Sequence, residues 1–345
     1  MAARGGMAEI KRPIDKKRES AGSFKVTTDD DSSPIVASVI VGDRMLIVKE
    51  LGVYELKFAD QIDPERVNPD VPNTVQKVLS LGSTSDLVAR TILLAEHLVK
   101  PSVLPKSVDC DRVMQAMFQV MMHLGKMYKL LHDFKSEEER GIAEIERQKV
   151  REDGSYVIPT SSDLGHNVES FLHNANLALV DLLEVAKAFG ETNPGKKWFE
   201  GIVENWRAEF GDDSDSTKYL SAILPFLKLV RNARHCLEHE KEGQRLEVHD
   251  FSLGTDLLIS PPSVEIVHPE TPISTTPISQ FMSLILERLI DTSEAMLVLL
   301  CEKQIVKSEN GFTCQVIQHP EGMWLRGYLR FSYAMEIDGK LIPMS

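Results

Sequence analysis

The segment Arg231-Asn232-Ala233-Arg234-His235-Cys236-Leu237-Glu238-His239 places two arginines, two histidines and an asparagine side by side. A guanidinium carries permanent charge and a forked set of donors that matches a phosphate. An imidazole exchanges a proton near neutral pH. Together these groups suit RNA cleavage without a metal. In that reaction a 2′-hydroxyl attacks the adjacent phosphate, a histidine moves protons, and an arginine stabilises the charge that grows on the phosphorane. The chemistry needs few protein charges, so an acidic chain can carry it.

A helix is expected from Thr217 to about Lys241, interrupted near its start by Pro225 and ended by Gly243. At about 100° per residue, Phe226, Val230, Ala233 and Leu237 share an apolar face. Arg231, Asn232, His235 and His239 fall nearly opposite, and Arg234 lies on the shoulder. Such a helix anchors itself by one side and presents a cationic, imidazole-bearing strip on the other.

Arg234-His235-Cys236-Leu237-Glu238-His239 reads R-H-x-x-x-H. It resembles the signature of the HEPN superfamily, an arginine often followed by Asn, Asp or His and then a histidine with four to six residues between. The lead-in Leu229-Val230-Arg231-Asn232-Ala233 is similar to that family too. The resemblance covers about residues 107–304, with the motif as its specific part. It implies a compact helical bundle with the motif on a late helix, and a ribonuclease that works without metal or cofactor. It also implies a homodimer in which two motif helices face each other over RNA. Toxin–antitoxin pairs and defence against phage are the roles this suggests, so an antitoxin or other protein partner is implied as well. Some members of the superfamily lack catalysis and act as binding or scaffolding modules. Two registers stay open. The spacing rule selects Arg234 with His239, whereas the helical face, and the Arg231-Asn232 dipeptide, select Arg231. His239 is the first choice for proton transfer and His235 the second. The alternatives are a non-catalytic interaction protein and a nucleotide-binding regulator that uses the same cationic pocket.

Other motifs carry less. Gly190-Glu191-Thr192-Asn193-Pro194-Gly195-Lys196-Lys197 matches G-x-x-x-x-G-K, but a phosphate loop needs a preceding strand and a Ser or Thr after the lysine. Here a helix precedes it and Lys197 follows, so a helix–helix connector is expected. His166 and His173 can share a helix face; the remaining histidines outside the strip are isolated in sequence, and no metal constellation is expected. Cys110, Cys236, Cys301 and Cys314 are scattered, which argues against a disulfide framework or a cysteine zinc site and for a reducing compartment. The start of the sequence has no apolar signal core, and no run approaches the about 18 apolar residues that cross a bilayer. A cytoplasmic location away from membranes is expected.

These residues need a scaffold. The chain has 345 residues, 42 % of them apolar, and a formal net charge of -13. That is enough apolar material for a large core, and the charge excludes bulk coating of nucleic acid. Residues 1–34 read as a disordered tail holding Lys11-Arg12, Lys16-Lys17-Arg18 and Asp29-Asp30-Asp31. Residues 35–58 read as a small antiparallel meander, followed to residue 83 by a Pro-rich connector. A mainly α fold is expected from there, a bundle of four or five long helices over residues 84–304. One helix starts near Ser107 with Val113, Met114, Met117, Val120, Met121, Leu124 and Met127 as core, then turns highly charged over residues 135–152, as a solvated arm or a protruding helix end. Others span about Ser162–Phe189, Trp198–Phe210, the Arg/His segment, and Pro277 to about Gln304. Small β-extensions are expected at the N-terminus, as inserted strands within residues 245–268 before the last helix, and as a hairpin within residues 305–345 around Pro320-Glu321-Gly322.

Overall fold

The computed structural model describes residues 11–20, 32–147, 155–191, 198–255, 258–305, 314–337 and 340–344. The chain divides into two units, Met1–Ser85 and Asp86–Ser345.

The first unit is a four-stranded antiparallel sheet in the order β1-β2-β3-β4, with β1 Ile35–Val41, β2 Arg44–Lys49, β3 Val53–Lys57 and β4 Thr74–Leu79. Gly42 makes the first turn at a φ of 60°, a backbone that glycine adopts without strain. Val39, Leu46, Val48 and Val53 are buried on one face of the sheet, and Ile47, Tyr54 and Leu56 pack together on the other. The meander expected from alternation is there, but the Pro-rich connector adds a fourth strand. It also contains the short helix α2, Ala59–Ile62. Within the expected tail, Pro13–Glu19 is a helix, α1. Asp29, Asp30 and Asp31 lie outside the described residues.

The second unit begins with a helix in three parts. These are α3 Asp86–Val88, a π-helical turn Ala89–Leu93, and α4 Leu94–Leu98. Next come α5 Cys110–Arg147, α6 Leu164–Ala188, α7 Phe199–Phe210 and α8 Asp215–Glu238. After α8 lie β5 Arg245–His249, β6 Ser252–Leu253, β7 Ile259–Ser260, β8 Ser263–Val267 and β9 Ile273–Pro277. The last helix is α9 Ile278–Lys303, followed by β10 Cys314–Gln318, β11 Phe331–Ile337 and β12 Lys340–Pro343. Helix α5 packs along α6, and α9 lies against both. Every member of the expected α5 stripe, from Val113 to Met127, is buried. Apolar positions three and four apart made that face legible.

One expectation fails. The fold is not a mainly α bundle of four or five helices: it is 50 % helix and 21 % strand, a mixed α/β architecture with four antiparallel sheets among the described residues. The missed strands are β4, β9 and β12. Strand β4 has no buried residue, and β9 and β12 each end in proline, a residue that marks a run as edge or non-strand. The closing hairpin is thus a three-stranded sheet, β10-β11-β12, and β5-β8-β9 form another. The charged end of α5 is exposed along most of its described length but touches the fold at intervals. Phe134, Glu138 and Gly141 are buried, and a Cβ on Gly141 would stand 2.7 Å from the Phe251 ring. The Tyr156 hydroxyl donates to the Ile145 carbonyl at 2.9 Å. Residues 148–152 of the expected arm lie outside the described residues, as do residues 192–197 of the phosphate-loop lookalike.

No helix among the described residues is long and apolar enough to cross a membrane.

Candidate functional site

The Arg/His strip is carried by α8. Its first turn is capped by Ser214, whose hydroxyl accepts the Thr217 N–H at 3.2 Å, satisfying one of the donors that a helix start leaves without an intrahelical partner. Leu220, Leu227, Val230, Ala233 and Cys236 are buried, and the helix packs on α6 and α7. Pro225 lies inside α8, which is one element from Asp215 to Glu238. Pro225 itself is exposed. His239 is not on the helix. It is the C-cap, its backbone N–H bonded to the His235 carbonyl at 2.9 Å. A short turn with Gly243 at a φ of 78° then leads into β5.

The five expected residues divide by environment. Arg231 is half-buried, its guanidinium carbon 4.1 Å from the centre of the Trp198 ring. Stacking uses the face of the guanidinium and leaves the in-plane N–H donors for an anion. Asn232 does not share the exposed strip. It is buried, and its amide donates to the Thr271 hydroxyl at 3.2 Å. Arg234 donates to Glu238 at 2.6 Å, and its Nε is buried without a partner among the described residues. His235 and His239 are both exposed. Their ring centroids lie 5.0 Å apart, with an interplanar angle of 62°.

A four-residue step returns a side chain to nearly the same side of a helix. Arg231 and His235 therefore form one ridge, which His239 continues past the last turn. Arg234 and Glu238 form the neighbouring ridge and largely neutralise each other. The arrangement offers two adjacent imidazoles in water, one stacked guanidinium with no hydrogen bond or ion pair among the described residues, and one guanidinium already engaged.

Sequence reading missed two participants. His268 is buried, and its Nδ1 accepts the backbone N–H groups of Glu270 and Thr271 at 3.2 and 3.3 Å, which places any ring proton of the neutral form on Nε2. The Thr271 hydroxyl, 3.2 Å from the same nitrogen, links it to Asn232. The segment after β8 thus holds Asn232 in place. No spacing rule connects residues 232, 268 and 271; only the fold does. The second miss is a surface cluster. Glu247, His249 and Glu265 each offer a ligand atom within 4.8 Å of the others. A signal existed here, because Glu247 and His249 alternate within a strand and so share a face. Glu265 comes from another strand.

The remaining expectations on titratable and reactive groups are placed as follows. His166 and His173 are exposed on α6. Cys110, Cys236, Cys301 and Cys314 are free thiols, and burial pushes the Cys301 thiol up to about 12. That keeps it protonated and unreactive. A groove of about 530 Å³ lies in the first unit, lined by Lys17, Arg18, Asp60 and Asp70 among others. It contains none of the strip, and its cations are spent internally: Arg18 pairs with Asp60 and Asp63, and Lys17 with Asp70.

No protein-family model, no curated protein and no solved structure matches this chain.

Proposed function

We propose that the exposed end of α8 is the reactive strip of a metal-independent endoribonuclease that acts as a homodimer. The observation that carries this reading is the exposed imidazole pair, His235 and His239, with centroids 5.0 Å apart. Two imidazoles that close can divide the proton traffic of transesterification. One accepts the proton of the ribose 2′-hydroxyl as its oxygen attacks phosphorus. The other donates a proton to the departing 5′-oxygen. The products are a 2′,3′-cyclic phosphate and a free 5′-hydroxyl, with no net proton consumed. Arg231 is better disposed than Arg234 to hold the phosphorane, because it follows the His235 ridge and keeps its in-plane donors. Arg234 is tied to Glu238. Asn232 then serves as a positioning residue through Thr271.

The similarity of Arg234–His239 to the HEPN motif supports the same reading, and it supplies the expectation that a second copy completes the site over RNA. A toxin or anti-phage role and an antitoxin partner follow from that similarity; a cytoplasmic location rests instead on the scattered cysteines, whose free thiols fit a reducing compartment. The engagement of Arg234 and the burial of Asn232 favour a second reading. In it the strip is a structural surface of a non-catalytic interaction protein.

Purified protein incubated with a panel of RNAs in excess EDTA separates the two. Cleavage to cyclic-phosphate ends is expected, with a fall of about 10²-fold or more for His239→Ala and for His235→Ala. An intact wild-type dimer that leaves every RNA whole would refute the nuclease reading and leave the interaction protein.

A further inference from the structure

Strands β5 and β8 pair antiparallel through Arg245↔Val267, Leu246↔Ile266, Glu247↔Glu265, Val248↔Val264 and His249↔Ser263. Alternation sends Val264 and Ile266 into the core, where both are buried, and leaves Glu265 on the other face. Glu247 stands directly opposite Glu265, and His249 is the next residue along that face. Two carboxylates facing each other across a strand pair repel, which costs the sheet stability unless a cation lies between them. Arg245 pairs with one oxygen of Glu247 and partly offsets this charge.

We infer that Glu247, His249 and Glu265 form a binding site for a divalent first-row transition metal ion, with zinc as its representative. This proposal is independent of the nuclease reading, whose chemistry involves no metal.

Three features carry it. The first is convergence: one ligand atom from each residue lies within 4.8 Å of the others, and His249 Nε2 is 3.7 Å from Glu247 Oε2. That is too long for a hydrogen bond, and an ion between two donors holds them apart at this kind of distance. The second is donor type. This is not a purely acidic patch; one imidazole nitrogen with two carboxylates selects borderline ions such as zinc over calcium and magnesium, which prefer oxygen alone. The third is support around the ligands. The Thr275 hydroxyl on β9 donates to Glu265 Oε2 at 3.0 Å, and Arg245 holds Glu247 from the far side. Such neighbours orient carboxylates for coordination. Three protein ligands leave a fourth position for water or an external donor. The site is solvent-accessible, with half of the His249 side chain exposed, so an ion can enter without opening the fold.

The test uses the full chain, stripped of metal and titrated with zinc by calorimetry. Cobalt serves as a parallel spectroscopic probe, because its visible absorption reports nitrogen and oxygen coordination. Saturable binding of one zinc per chain is expected, with magnesium and calcium far weaker. His249→Ala and the shape-preserving Glu265→Gln should each weaken zinc binding at least tenfold and remove the cobalt bands, with circular dichroism unchanged. Absence of saturable binding by the wild type up to millimolar zinc overturns the proposal. So does binding that both folded variants retain, since the zinc would then sit on other histidines.

Discussion

Acidification should destabilise the second unit through one histidine. His97 lies on α4 and is 6 % exposed, and its Nε2 has no hydrogen-bond partner among the described residues. Burial is the main reason its protonation is held down to about 4, from an ordinary 6.5. Arg326, Lys100 and His319 push in the same direction, and Glu96 opposes them. The unfolded chain therefore takes up this proton near pH 6.5, while the folded chain resists it until about pH 4. The contribution is fully present above 6.5 and is lost as pH falls through that window. At about 1.4 kcal/mol per pH unit the loss amounts to about 3 kcal/mol, a large part of a typical domain stability of about 5–15 kcal/mol. Tryptophan fluorescence is a clean probe, because Trp198, Trp206 and Trp324 all belong to the second unit. Urea unfolding from about pH 7 to about pH 4 should show wild-type stability falling more steeply than that of His97→Leu. The variant should match or exceed the wild type near pH 7, since the orphan nitrogen has no bond to lose. Parallel pH profiles for the two proteins would refute the reasoning.

Two further outcomes are expected from the same assay. Arg90, in the π-helical turn, donates to Glu294 at 2.8 Å and to Asp291 at 2.6 Å. Arg90→Met should cost about 3–5 kcal/mol, because among the described residues buried Glu294 then keeps only Arg330 at 3.4 Å; a change below about 1 kcal/mol would mean that the charge is satisfied elsewhere. Gly141→Ala brings a methyl within 2.7 Å of the Phe251 ring and should cost about 1–3 kcal/mol of overpacking. Phe251→Leu in the same chain should recover part of that loss, and strict additivity of the two changes would contradict a direct clash.

Much of the helical framework was legible because long amphipathic patterns repeat the same information at every turn. The α5 stripe from Val113 to Met127 needed no knowledge of its neighbours. The short strands had no such redundancy. In β9, Ile273 to Pro277, the chain is held by pairing with β8 and not by alternation of its own. The π-helical turn at Ala89–Leu93 was equally silent, since Arg90 reaches carboxylates some two hundred residues away on α9.

The strip itself shows the same division. Residue types and spacing placed Arg231, Arg234 and His235 on the last turns of one late helix, because helical periodicity is local and α8 follows it, whereas His239 falls just past the helix end. Periodicity also put Asn232 on the open side, and there it misled. A helical wheel records direction from the axis but not which neighbours occupy that direction. The segment Val267 to Thr271 folds back over Asn232 and buries it. Partner choice was likewise tertiary: Arg231 met Trp198 from α7's N-terminal flank, while Arg234 met Glu238 on its own helix. The sequence by itself determined which side chains ride on α8 and in what order. Only the tertiary structure decided which stay free to meet a ligand, and that Glu247, His249 and Glu265 share one face, because such pairings arise when strands and loops distant in sequence are packed together.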